Sequence, residues 1–213
     1  MSDACCEASA QNASALAARH RDVLWIVLAI NFALFIVEVV AGHRVGSSAL
    51  LGDSLDMLGD AFVYAASLYV VGRSAQAQAR VAVGKGVLMG ALAASVFVDA
   101  LAHIASRVPP SSAVVGGVGL LALAGNAASF ALLYHHRGDN LNLRSTWLCS
   151  RNDLIANVAV LASAGVVAAT ASAWPDALVG IALAALWLRT SLRVLGEAWM
   201  GAKAVDSRNL PAG

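Results

Sequence analysis

The sequence predicts an all-α, polytopic membrane protein of six transmembrane helices, with the marks of an inverted repeat of three plus three and both chain ends in the cytoplasm. Of the 213 residues, 59% are hydrophobic and 13% charged, and the mean hydropathy of +0.72 lies far above that of ordinary soluble domains. The apolar residues gather into six blocks, each of roughly 20 residues, the length that crosses a hydrocarbon core about 30 Å thick. No run of short alternating strands suggests a barrel, so helices must satisfy the backbone within the membrane.

The bases set the orientation. Arg19 and Arg21 precede the first block, Arg73, Arg80 and Lys85 lie around the link from the second to the third, Arg137 and Arg144 lie between the fourth and fifth, and Lys203 and Arg208 follow the sixth. The opposite links hold only Arg44 and Arg107, which places both termini in the cytoplasm by the positive-inside rule. The first block lacks a basic leader and a small-residue cleavage motif, so no cleaved signal peptide is expected. A net charge of +1 offers no field for nucleic acid, and none is expected as a partner. Cys5, Cys6 and Cys149 make no disulfide framework. Residues 1–22 and 197–213 read as short cytoplasmic tails around a transport domain at 23–196, so the function must lie inside the bundle.

The first helix is expected from Leu24 to Ala41. It carries Asn31 and, seven residues on, Glu38 on the same face, suited to relaying protons or, more commonly, to snorkelling toward the outer interface. The second, Ser47 to Val71, contains "DSLDMLGD": Asp53, Asp56 and Asp60 at i, i+3 and i+7 form one stripe that lipid cannot accommodate. Asp53 lies near the outer end, where it would line a vestibule or order the helix start. The third, Val83 to Ala105, holds Asp99 and His103 at i, i+4, a spacing open to metal but more often an internal ion pair. The fourth, Ala113 to Tyr134, offers Asn126, with His135 and His136 in a solvated link behind it. The fifth, Ser145 to Thr170, reads "WLCSRNDLIAN" through Cys149, Asp153 and Asn157, again a single stripe. The sixth runs from Trp174 to Val194. Asn31, Asn126 and Asn157 suit hydrogen bonding between helices, and Gly59, Gly84, Gly86 and Gly90 suit close helix contact.

Three landmarks repeat in order. "AINFALFIVE" matches "AGNAASFALL" with Asn31 over Asn126, the Asp60 region falls over Asp153, and "GALAASVF" resembles "GIALAALW". A repeat of three spans must insert its second copy inverted, the plan of many secondary transporters with a midplane site.

Like charges as close as Asp56 and Asp60, in a dry site, must be protonated, hydrated or neutralised by a cation. If the stripes of the second and fifth helices face each other, Asp56, Asp60 and Asp153 supply three oxygen donors and Cys149 a thiolate, a tetrahedron that zinc accepts. Cys149 reads equally well as a small apolar filler.

The run "NFALFIVEVVAGHRVGSSALLGDSLDMLGDAFVYAASLYVVG", the Asp153 and Asn157 pattern and the "WPD" that opens the sixth helix resemble the cation diffusion facilitator family, over about residues 24 to 195. The resemblance implies exchange of a divalent metal, zinc foremost with cadmium, cobalt or nickel as alternatives, for protons across a membrane. It places Asp56 and Asp60 on the family's helix-two pair and Asp153 on its helix-five aspartate. Cys149 stands where the family commonly has histidine, and the family's cytoplasmic C-terminal domain has no counterpart, so a short, membrane-only form is expected.

The expected function is therefore a secondary exporter of a divalent metal in the bacterial inner membrane. The metal is its substrate, with no tightly bound cofactor and no enzymatic activity. Protons and lipid are its other partners, and pairing of two copies through the membrane helices stays open. An intramembrane aspartyl protease is the rival from another class, though no Gly-x-Gly-Asp context surrounds Asp153; a non-transporting metal-binding scaffold is a third reading. Cys5 and Cys6, with Glu7 and His20, either capture metal at the cytoplasmic mouth or belong to a disordered tail.

Overall fold

A computed structural model describes residues 21–70, 75–135 and 143–208, and for residues 70, 75–80, 143–152 and 197–208 the helical course alone. The described residues form six helices and no strand: α1 (Arg21–Val45), α2 (Ser48–Val70), α3 (Ala75–Ser106), α4 (Ser112–His135), α5 (Leu143–Thr170) and α6 (Trp174–Arg208). Each expected span lies within a few residues of a helix. The exceptions are the start of α3 and the end of α6, which run on past the apolar blocks, because hydropathy marks where the oil ends and not where the hydrogen-bonded ladder does.

Five of the helices are long and apolar enough to cross a membrane. The sixth, α2, carries Asp53, Asp56 and Asp60 and is the enclosed one. It packs against all five others, and Tyr69 is its only exposed large apolar side chain among the described residues. The other helices turn such residues outward, among them Trp25, Phe32, Val98, Leu120, Ile155 and Leu192. Apolar outside and polar within is the arrangement a bundle adopts when its solvent is lipid.

The helices α1, α4 and α5 close a ring with α2, while α3 and α6 pair and lean on α2. Pairing α1 with α2 and α2 with α3 is matched by α4 with α5 and α5 with α6, as a repeat of three would give. The correspondence breaks where α2 packs on α6, since among the described residues α3 and α5 make no comparable contact.

Apolar clusters seal the polar middle. Ala49, Leu50, Val115, Val160, Ala164 and Leu183 close the end opposite the termini, and Val23, Leu24, Val27 and Tyr64 close the other. Small residues bring helices together at Gly59, against Trp187, and at Gly90, against Ser191. Gly84 is a correction: it faces open space and serves no contact.

The α1–α2 turn is built for α2. Gly46 takes φ +66, in the left-handed region that side chains avoid, and a Cβ there would meet His103 Nε2 at 2.8 Å. Ser47 then caps α2, its Oγ accepting from Leu50 N at 3.2 Å. Asp176, from the first turn of α6, adds a second cap: Ser47 Oγ donates to Oδ1 at 2.6 Å, and the Ser48 and Ala49 amides donate to Oδ2 at 2.7 and 3.2 Å.

Candidate cation site

The stripe of α2 faces α5 and α1 through the middle of the bundle. Asp53 is fully buried, and both its oxygens accept from Asn157 Nδ2 of α5 at 3.3 Å. It lines no vestibule and caps no helix, because Ser47 and Asp176 already serve the start of α2. One turn along, the Asp56 carboxyl meets that of Asp153 from α5 within hydrogen-bonding range. Asp60, half-buried, stands within electrostatic reach of both, and buried Tyr64 lies beyond the three.

Two residues complete the surroundings. Glu38 of α1 does not snorkel: it is fully buried, its carboxyl against that of Asp53. Lys85 of α3, read from sequence as a cytoplasmic base, reaches inward; its Nζ donates to the Gly59 carbonyl at 3.2 Å, and its charge acts on Asp60 and Asp56. Five carboxyls, Glu38, Asp53 and Asp56 buried and Asp60 and Asp153 half-buried, thus share the interior with one nearby ammonium among the described residues. They cannot all be ionised without help, and protons or a metal ion are the charges that can enter.

The structure brings Asp56 and Asp153 together and sets Asp60 beside them. Among the described residues, no three His, Cys, Asp or Glu side chains converge closely enough to hold an ion at once. The Cys149 side chain, like Cys5 and Cys6, lies outside the described residues; on α5 it precedes Asp153 by four positions. Asp99 Oδ2 and His103 Nδ1 lie 3.0 Å apart, joined by Ser48 Oγ at 3.1 Å to each. Asn31 bonds across to Ser129 of α4 at 3.5 Å, whereas Asn126 Nδ2 is buried without a partner.

Sequence reasoning undervalued Asp53, Glu38 and Lys85. For Glu38 a signal was present: it shares a helical face with Asn31, and a face carrying two polar groups turns inward. For Lys85 there was none, because a base at a span boundary serves topology and chemistry alike.

The chain is similar to known proteins over most of its length. The family model described as the cation efflux transmembrane domain matches residues 24–199. The chain is 27% identical over 194 residues to the metal cation efflux system protein CzcD of Cupriavidus metallidurans and, equally, to the cation efflux system protein CzcD of an Alcaligenes species. Each alignment covers 82% of this chain and 61% of the relative, so the chain spans less than two thirds of their length. With the match extending from the first residues of α1 into the extension of α6, the protein belongs to the cation efflux transmembrane domain family.

Proposed function

We propose that the protein exports a divalent metal ion, zinc first among the candidates, from the cytoplasm across the bacterial plasma membrane in exchange for protons. The observation that carries the reading is the meeting of Asp56 and Asp153 from different helices inside an apolar bundle. Two carboxyls in contact must hold a proton between them or bind a cation, and a site that does both couples the two fluxes. A metal ion arriving from the cytoplasm displaces protons from Asp56, Asp153 and Asp60, with Cys149 as a fourth donor. Protons from the far side then remove the metal's ligands and release it. Separation of α5 from α2 opens the pocket. Family membership favours transport over proteolysis, although an aspartyl protease would also use two touching acids.

The test is zinc flux into proteoliposomes carrying a pH gradient. Asp56→Asn and Asp153→Asn should each lower the rate at least about tenfold, and metal affinity of the wild type should rise with pH, since protons and metal compete. Wild-type flux in both variants would discard the site. Metal binding in detergent with no flux in vesicles would leave a scaffold, and cleavage of a helical substrate without metal would leave a protease.

A further inference from the structure

Glu38, Asp53 and Asn157 meet from three helices on the side of Asp56 and Asp153 that lies away from the chain termini. Neither oxygen of Glu38 has a hydrogen-bond donor, and Asn157 Oδ1 is also buried without one. These make three of the five unpartnered buried side-chain polar atoms among the described residues. The Glu38 carboxyl lies against that of Asp53, whose two oxygens each accept from the amide of Asn157 at 3.3 Å. Leaving a buried acceptor unmet costs about 1–3 kcal/mol, and more when it is charged. The cluster is therefore rich in acceptors and short of positive charge.

We propose that Glu38, Asp53 and Asn157 form a second divalent-cation subsite that receives the ion from Asp56 and Asp153 on its way out. Its role rests on the transport reading above; its capacity to bind does not. Two carboxylates balance a doubly charged ion, and Asn157 supplies a carbonyl oxygen, giving an oxygen-only donor set of the kind manganese, magnesium and calcium prefer and that zinc or cobalt accept in passage. Rotation of the Asn157 amide by half a turn exchanges its donor for its acceptor, so the group that bridges Asp53 without metal joins the ligands with it. Three residues of helix separate Asp53 from Asp56, about 4.5 Å along the axis. An ion can pass between the pairs without returning to water.

Manganese is the probe, since it favours oxygen and binds thiols weakly. Binding to the purified full chain would be counted by electron paramagnetic resonance of the free ion. E38Q should bind one fewer manganese per chain while zinc affinity at the inner pair stays within about threefold. N157D, which adds a third carboxylate, should tighten the outer ion by about tenfold or more. Should E38Q alter folding, seen as a shifted elution profile, N157D carries the test. The proposal is overturned if E38Q binds manganese like the wild type, if it loses both ions together, or if N157D binds no more tightly. Retained zinc flux in D153N would instead sink the inner transport site and leave the manganese count to judge the outer one.

Discussion

At Lys85 an ammonium ion occupies part of the space in which a metal would exert its charge. Its Nζ is tethered to the Gly59 carbonyl at 3.2 Å and acts on Asp60 and Asp56, so it offsets the carboxylates when no metal is present and repels the metal when one arrives. At an effective dielectric of about 20, unit charges ~8 Å apart interact by roughly 2 kcal/mol per charge. Lys85→Met should therefore tighten zinc binding in detergent by about thirtyfold or more, while Lys85→Arg, which keeps the charge, should leave it near wild type. Equal affinities in Met and wild-type proteins would mean that the ammonium leaves before the metal enters. The candidate site was partly legible at this scale. Helical spacing alone put Asp53, Asp56 and Asp60 on one stripe and Asp153 and Asn157 on another. Spacing cannot say which residue of one stripe meets which residue of another, so the pairings of Asp53 with Asn157 and Asp56 with Asp153 appear only in three dimensions.

The helix that bears most of the acids is held at its start by a side chain 129 positions along the chain from Ser47. Asp176 accepts from one hydroxyl and two backbone amides at the N-terminus of α2, and the positive end of the helix dipole adds to the attraction. Asp176→Ala should cost about 2–3 kcal/mol, the sum expected for a lost cap with charge-assisted bonds. Asp176→Asn, which keeps one acceptor, should cost about half as much. Chemical denaturation in detergent would check both, and an unchanged midpoint in the Ala variant would show that water replaces the cap fully. Elements themselves were the most readable level: six apolar blocks became α1 to α6, with the start of α3 and the end of α6 running on well past them. The cap was not readable, because "WPD" looks like an ordinary helix start, with proline tolerated in the first turn. Nothing local says that its aspartate serves a different helix.

For the whole molecule, the two seams along α2 differ in kind, and the difference says which one opens. Against α6 the seam is close and apolar: a Cβ at Gly180 would lie 2.5 Å from the Ser48 carbonyl oxygen, one at Gly52 would lie 3.0 Å from Leu183 Cβ, and Gly59 rests against Trp187. The Asp176 bonds tie the same pair together at the end away from the termini. Against α5 the seam is narrower: apolar near the end away from the termini, where Ala49 and Leu50 cluster with Val160 and Ala164, and polar in its middle, held by Asn157 on Asp53 and by the Asp56 and Asp153 carboxyls. Apolar packing that close cannot part without exposing voids or water to the helix backbone. Polar pairs exchange partners with water or an ion at little cost. Alternating access should then carry α2 and α6 as one body while α5 withdraws. Cysteines at positions 52 and 183 can test this, because the backbone already holds their Cβ atoms slightly closer than the ~3.5–4.5 Å of a disulfide. In a chain with Cys5 and Cys6 replaced by serine, oxidising G52C/L183C should leave at least about half of the zinc flux, a barrier change below 1 kcal/mol. A loss of about tenfold or more that reductant restores would show instead that α2 must slide along α6, and the opening would then belong to the glycine-lined seam.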